Sequence, residues 1–410
     1  MKNVGILGLG NIANRVAKGV LCSKKACLYT VASRNIENAK RFADKYGAKT
    51  YYGSYEEMLS DSNVDLVYIC TPNTLHYEQI KMCLNYGKHV ICEKPMVKDK
   101  IQVRELFAFA RKKGCFLMEA EKTMFTPLNQ KIKGMITNGV IGKLHTIKAQ
   151  YCSVGLDGLS LDHWVLGEEF GGCTYDIGVY PICASHFYAD AKMKEFQAEP
   201  VIHPEFGCDF GMDADIFYEN GIYASLRANW FYQAKNKGNA VLVGDKGYFE
   251  IPAYWKGNKA YLHKDGIVTE IEVDMESDFE GEITHAIECI EDGLLESTVL
   301  GEEMSVEIIH VAEAVQKKFV YKKMIARIEH MEQYVDDVSK ILEKSPDLMK
   351  KDEEIKTKIE ALEKYQESGQ WLRDYESDER GELPSDLKRG VLSEDKLYNL
   401  LCDIKRIMES

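Results

Sequence analysis

The chain has 410 residues, a formal net charge of −13 and 45% hydrophobic residues. This length points to two or three domains, the acidic balance argues against a nucleic-acid surface, and the apolar fraction excludes extended disorder. Twelve cysteines form no Cys-x-x-Cys pair, and most (Cys70, Cys92, Cys115, Cys152) sit in apolar runs too short to span a bilayer, so a soluble cytoplasmic protein with reduced core thiols is expected.

“NVGILGL” reads as a buried strand and “NIANRVAKGVLCS” as the helix after it; the short apolar run and its glycine turn do not suit a signal-peptide core. “CLYTVAS” is the second strand, and “NIENAKRFADKYG” a helix closed by Gly47. “VDLVYICT” and “KHVICEK” are apolar strands separated by the helical “TLHYEQIKMCLNYG”, and “IQVRELFAFARKKG” with “CFLMEA” repeats the unit. Such alternation predicts an α/β domain over residues 1–121, its parallel sheet covered on both faces. From about residue 144 the strands “LHTIKAQYCSV”, “DADIFYENGIYASLRANWF”, “NAVLVGDKGYFEI” and “KAYLHKDGIVTEIEV” carry hairpin turns, and “EITHAIECIEDGLL” and “EEMSVEIIHVAEAVQKKF” are helical. Residues 122–320 are therefore expected to form an α+β substrate-binding domain on an open, mostly antiparallel sheet. Beyond it, Met324, Ile328, Met331, Val335, Val338 and Leu342 make an amphipathic stripe. Ser345-Pro346 predicts a new helix start, and Ile355, Ile359 and Leu362 continue the pattern, giving an all-α module over 321–410.

“GLGNIA” lies between the first strand and helix. Gly8 permits the tight turn, Gly10 lets the backbone approach a pyrophosphate, Ala13 allows close helix–strand packing, and Asn11 and Ile12 open a helix whose free N–H groups face the phosphates. At the tip of the second strand, where an acid would bond the ribose of NAD, the chain has Ser33-Arg34. A hydroxyl and a guanidinium suit a 2′-phosphate, so NADP(H) is the preferred cofactor, without excluding NAD(H). In “CTPNTLH”, Thr71, Pro72 and Asn73 turn at a strand's carboxyl end, where cofactors sit in open α/β sheets. Asn73 and His76 are expected at the nicotinamide side, His76 being equally readable as a first-turn helix residue.

The dinucleotide loop, “TPNTLH”, “CEKP” and “GGCTYDIGVYPI” together resemble the glucose–fructose oxidoreductase, inositol dehydrogenase and rhizopine-catabolism (Gfo/Idh/MocA) family over about residues 1–320. “ASRNIENAKRFADKYG” and the tyrosine of “DIGVY” are most similar to its dimeric dihydrodiol dehydrogenase and glucose–fructose oxidoreductase branch; many sugar and inositol dehydrogenases of the family have histidine where Tyr180 stands. The resemblance implies a Rossmann domain, an open-sheet domain that often dimerises, and a catalytic set of Lys94, Asp176 and Tyr180. A homodimer or higher homo-oligomer acting on a small molecule is thus expected. Cys173 occupies a position where the family usually has a third glycine. The tail, “WLRDYESDERGELPSDLKRGVLSEDKLYNLL”, resembles a small bacterial helical domain of unknown function that is usually a separate protein.

Hydride transfer at a carbinol carbon needs a cation near the oxygen and a titratable group for the proton. Lys94 ends a strand on the sheet's carboxyl side, Pro95 (with a cis bond before it) fixes the turn, and Glu93 borders the cofactor, pairing with Lys94 or holding the turn. Tyr180 is the expected proton carrier, its phenol pKa lowered from about 10 by the nearby ammonium. Asp176, four residues earlier, is expected on the same helix face, binding a substrate hydroxyl or orienting the relay. His163 and Trp164 are a pocket wall for substrate; His163 with Asp162 lacks a third ligand, so no metal is expected. The expected activity is NADP(H)-dependent oxidation or reduction of a secondary alcohol or ketone on a sugar, polyol or cyclic diol. A second reading is a catalytically silent NADP(H)-binding redox or metabolite sensor that signals through the tail. The full Lys94, Asp176 and Tyr180 set argues against it, since a sensor needs no proton carrier.

Overall fold

Six short runs, most of them rich in Val, Ile and Leu, make the first sheet of the computed structural model, which describes residues 1–154, 163–167, 171–232 and 234–409. The strands are β1 (Lys2–Leu7), β2 (Ala26–Ala32), β3 (Thr50–Tyr52), β4 (Leu66–Ile69), β5 (His89–Glu93) and β6 (Leu117–Ala120). They lie in the order β3-β2-β1-β4-β5-β6, every pair parallel. The connecting helices are α1 (Asn11–Cys22), α2 (Ile36–Tyr46), α3 (Tyr55–Ser60), α4 (His76–Asn85) and α5 (Lys100–Lys113). Because helices cover both faces, β4 is buried at every position rather than at alternate ones. The direction of winding reverses between β1 and β4, so their carboxyl ends open the crevice in which such sheets bind ligands. Local chemistry sets the helix ends: Asn35 accepts the N–H groups of Glu37 and Asn38 to start α2, and Gly47 closes it at φ 73°.

α6 (Pro127–Thr137) leads into a second sheet. Its strands are β7 (Leu144–Cys152), β8 (Met193–Ile202), β9 (Asp209–Tyr218), β10 (Tyr223–Asn229), β11 (Asn239–Gly244), β12 (Gly247–Pro252), β13 (Lys259–Lys264) and β14 (Ile267–Glu272), ordered β14-β13-β12-β11-β7-β10-β9-β8. The hairpins fall where Asn220-Gly221, Asp245-Lys246 and Asp265-Gly266 place them. One pair departs from the antiparallel pattern: β7 runs parallel to β10, from Thr146 beside Tyr223 to Cys152 beside Asn229. Their carboxyl ends therefore lie side by side. α7 (Val179–Ala189), buried at every position except Tyr180, packs on one face, contributing to the same core as Ala149, Ala224, Leu226 and Ala228. α8 (Glu280–Glu291) returns to the first sheet and packs on α1 through Gly19, Phe279 and Ile283.

The chain divides into two compact units, Met1–Gln316 and Lys317–Ser410, and the division falls within α9 (Glu302–Lys344). The second unit adds α10 (Glu353–Glu367), α11 (Gln370–Glu379) and α12 (Glu394–Glu409). Ile328, Val335, Val338, Ile359 and Leu362 of the expected stripe form its core. Within it, buried Asp374 accepts from Arg327 (Nε, 2.9 Å) and from the Tyr365 hydroxyl (2.8 Å). The expected helix start at Ser345 is corrected. Pro346–Lys350 is only a 3-10 turn without a side-chain cap, and α10 begins after Asp352, whose carboxylate accepts the Glu354 and Ile355 N–H groups. No described helix is long and apolar enough to cross a membrane.

Candidate active site

The Gly8–Gly10 loop passes from the carboxyl edge of β1 to the start of α1. Gly8 has φ +87°, and a Cβ there would meet Thr71 Cγ2 at 2.6 Å, so no side chain fits. Gly10 is the reverse case: a Cβ would meet nothing within 4 Å, and no side chain caps the helix it opens. The residues thus leave room for an anion against the helix N-terminus while Ala13, fully buried, packs the helix on the sheet. At the end of β2, Ser33 Oγ accepts the Asn35 N–H at 3.3 Å. Arg34 is exposed and has no hydrogen bond or ion pair among the described residues.

Past β4, Thr71 hydrogen-bonds Gln79, Pro72 precedes a 3-10 turn, and Asn73 is buried. His76 is the first residue of α4, with ring nitrogens 3.0 Å from the Pro95 carbonyl and 2.9 Å from the Thr71 carbonyl. It ties the loops after β4 and β5 together, and burial lowers its pKa.

Lys94 stands just beyond β5, with a cis bond to Pro95. Its ammonium donates to the Asp176 carbonyl, lies 3.6 Å from Asp176 Oδ1 and sits 4.9 Å from the Tyr180 ring centroid. One cation thus joins all three expected catalytic residues. The helical geometry differs from expectation: Asp176 belongs to a π-helical turn, Thr174–Gly178, and Tyr180 to the first turn of α7. Lys94, not α-helical spacing, brings the two together. The phenol also differs. Burial pushes the Tyr180 pKa well above its usual value, and the Glu121 and Glu93 carboxyls add to the effect. The expected lowering by ammonium does not occur: burial outweighs it, and Lys94 lies over the ring face, so the shift favours the protonated phenol.

Other contacts hold this arrangement. Tyr175 donates to the Lys98 carbonyl at 3.0 Å, and buried Asp209 accepts the Thr174 N–H at 2.9 Å and hydroxyl at 2.7 Å at the start of the π turn. Tyr151, near the end of β7, stacks on Trp255 at 3.8 Å and tilts against Tyr180 at 5.5 Å. Burial and the Asp176 charge push its phenol up to about 12. Lys122, buried, donates to the Trp255 carbonyl and to Asp278 Oδ2, both at 2.6 Å. Glu93 is spent on Tyr68 at 3.1 Å and forms no ion pair with Lys94 among the described residues. His163 accepts the Val165 N–H at 3.3 Å and faces Trp164, with ring centroids 5.7 Å apart. Neither ring contacts Lys94 or Tyr180 through a hydrogen bond or ring pair among the described residues. Asp162 lies outside the described residues, and no group of three His, Cys, Asp or Glu among those described could hold a metal.

Sequence reasoning missed Lys122, Trp255 and Asp278. A signal for the first was present: a Glu-Lys pair stands at the carboxyl end of two adjacent parallel strands, Glu93-Lys94 at the end of β5 and Glu121-Lys122 just after β6. Trp255 and Asp278 arrive from distant segments and carry no local mark.

A parallel sheet opening on a glycine loop, joined to an open sheet that meets the Lys94 turn, defines a two-domain dinucleotide-binding oxidoreductase. Residues 2–121 match the oxidoreductase family with an NAD-binding Rossmann fold, residues 129–250 match the GFO/IDH/MocA C-terminal domain, and residues 328–410 match a domain of unknown function. The mouse trans-1,2-dihydrobenzene-1,2-diol dehydrogenase is 30% identical over 306 residues, 72% of this chain and 90% of the relative. A variant of the 3-ketoreductase from Actinomadura kijaniata, solved with TDP-benzene and NADP, superposes with a TM-score of 0.64 at 25% identity, covering 77% of this chain and 97% of that one. The aldose-aldose oxidoreductase from Caulobacter crescentus, solved with glycerol, shares the fold at a TM-score of 0.70 and 23% identity, with the same coverage of 77% and 97%. The chain belongs to the Gfo/Idh/MocA oxidoreductase family.

Proposed function

We propose that the chain is an NADP(H)-dependent oxidoreductase acting on a secondary alcohol or ketone of a sugar, polyol or cyclic diol. The observation that carries this reading is the meeting of Lys94 with Asp176 and Tyr180 at the carboxyl edge of β5. When bound, the nicotinamide supplies or takes the hydride. Lys94 would stabilise negative charge on the reacting oxygen, and Tyr180, a protonated phenol beside it, would give the proton in reduction and take it back in oxidation. Asp176, half-buried, would bind a neighbouring substrate hydroxyl. His163 and Trp164 would wall the substrate side.

The open Gly10 loop, with Asn11 and Ile12, is suited to the pyrophosphate, and Arg34, without a hydrogen bond or ion pair among the described residues, with Ser33 to a 2′-phosphate. Thr71, Pro72, Asn73, His76 and Glu93 shape the loops bordering the nicotinamide. The diol dehydrogenase and ketoreductase relatives support the substrate class. We assign residues 1–121 to cofactor, 122–320 to substrate and self-association, and 321–410 to an appended helical module. Cross-strand aromatic pairs on the open face, Phe217–Tyr223 and Tyr248–His263, in which Phe217 and Tyr248 are exposed and their partners half-buried, favour a homo-oligomer. The test is a panel of sugars, polyols and cyclic diols with NADP, and their ketones with NADPH, followed at the reduced-nicotinamide band. Turnover is expected with at least one pair. NADPH binding without any turnover would overturn the enzymatic reading and leave a sensor.

A further inference from the structure

Behind Lys94 lies a buried group of acids to which the proposed chemistry gives no part in catalysis. The hydroxyl of Tyr68, on β4 and fully buried, is 3.1 Å from Glu93 Oε1 and 2.7 Å from Glu282 Oε1. A phenol has one proton to donate. Two carboxyl groups facing it are both satisfied only if one brings a proton of its own. Surroundings decide which one does. Glu282, on α8, is fully buried, forms no ion pair among the described residues, and its Oε2 has no hydrogen-bond partner. A carboxylate so placed is among the costliest groups a core can hold, so Glu282 is the neutral acid, and the Tyr68 oxygen is the acceptor within its reach. Glu93 is placed otherwise: the Lys94 and Lys122 ammonium groups and the Tyr68 donor all favour its charge. The remaining groups facing Glu93 are Glu121 at the end of β6, the Cys70 and Cys92 thiols, and Tyr180 on α7. Burial pushes the Glu93 carboxyl to about 7, so its charge is present above that pH, whereas Glu282 is raised well above the usual range.

We propose that Glu282, as a neutral buried acid, donates to Tyr68 and turns the phenol proton onto Glu93, whose carboxylate balances Lys94 from behind. Tyr68 and Glu282 are thus positioning residues for the Lys94–Tyr180 site, an inference that rests on the role given to Lys94 above. Asp176 and Tyr180 meet the ammonium directly, and Glu93 supports it through its charge, without an ion pair among the described residues. The hydrogen-bond chain sets the pH at which that support is lost.

The two directions of the chain differ in sign, which makes the proposal testable on the intact protein. The infrared carbonyl stretch of protonated Glu93 is identified as the band lost in Glu93→Gln, and its titration midpoint is measured. Tyr68→Phe removes a donor to the ionised form and should raise the midpoint by about one pH unit. Glu282→Gln keeps an N–H donor to the phenol and should leave the midpoint within about 0.3 unit. A midpoint that falls in both variants would make Glu282 the ionised partner and overturn the proposal, as would no change in Tyr68→Phe. If Tyr68→Phe does not fold, Glu282→Leu gives the same test: a rise supports neutral Glu282, and a fall overturns it. With a substrate found, the acidic limb of the turnover profile should follow the infrared midpoint in each variant. A limb that stays fixed while the midpoint moves would overturn the positioning role. The expected infrared signs without turnover on any substrate would instead count against the enzymatic reading and leave the hydrogen-bond chain standing.

Discussion

A lysine held at once by a backbone carbonyl, a carboxylate and an aromatic face cannot be exchanged for a neutral chain of similar bulk without consequence. Lys94→Met should keep the fold and NADPH affinity, because the Gly8–Ala13 loop and Arg34 hold the phosphates. Turnover should fall by at least about a hundredfold, the scale for one preorganised charge-stabilising group. Near-normal turnover in a folded Lys94→Met protein would reduce the lysine to a turn residue. Arg34→Asp should weaken NADPH far more than NADH, read by fluorescence titration of each, since a carboxylate would face the 2′-phosphate. An equal loss for both would assign Arg34 to the fold. Glu119 makes a separate point about pH. Its Oε1 accepts the Met96 N–H at 2.8 Å, while burial raises its carboxyl from the ordinary 4.5 to about 7. A raised acid adds stability that is fully present below its unfolded pKa and is lost as pH rises through the folded value. Glu119→Gln keeps an acceptor for Met96, so between about pH 5 and about pH 8 it should lose less unfolding free energy than the parent, by about 1–3 kcal/mol in denaturant titrations. Parallel losses in both proteins would assign the pH dependence elsewhere. Lys94, Asp176 and Tyr180 were legible as residues because short motifs carry them. The protonation of Tyr180 was not, because it depends first on burial and then on Glu121 and Glu93, which come from segments far from it in sequence.

The π turn is the element that most directly orders the site. Gly172 enters it at φ +108°, and a side chain there would run into the Asp209 carboxylate that caps Thr174. Gly172→Ala should therefore cost more than about 2 kcal/mol in chemical denaturation and reduce turnover, while NADPH affinity is unchanged. Unaltered stability would mean that the turn tolerates another path. Helix–strand alternation with glycine caps made β1, β2, β4, β5 and β6 and α1, α2, α4 and α5 readable in advance, since each helix end is decided by neighbours in sequence; the three-residue β3 and six-residue α3 are too short to show a period and were not legible. The π turn was read as ordinary helix because its extra residue is fixed from outside, by Asp209 and Lys94. Ser345-Pro346 misled for the opposite reason: the local signature was present, but Asp352 makes the cap that starts α10.

Across the whole molecule, the division at Gln316 implies that most cohesion is internal to each unit. A chain ending near residue 321 should fold and bind NADPH, checked by circular dichroism melting and fluorescence titration, even if its assembly or solubility changes. Failure to fold would place the helical module within the main core. The two-sheet architecture was visible in the spacing of strands and turns, whereas the parallel pairing of β7 with β10 joins segments far apart in sequence and left no local trace. Trp255, stacked on Tyr151 beside Tyr180, has an optical consequence as well. Indole emission overlaps the absorption of reduced nicotinamide, so a cofactor ring seated near Lys94 would drain the Trp255 excited state by energy transfer. The chain has only three other tryptophans, of which Trp371 belongs to the second unit. Occupancy of the site could then be followed as a loss of light from the protein itself, before any substrate is known.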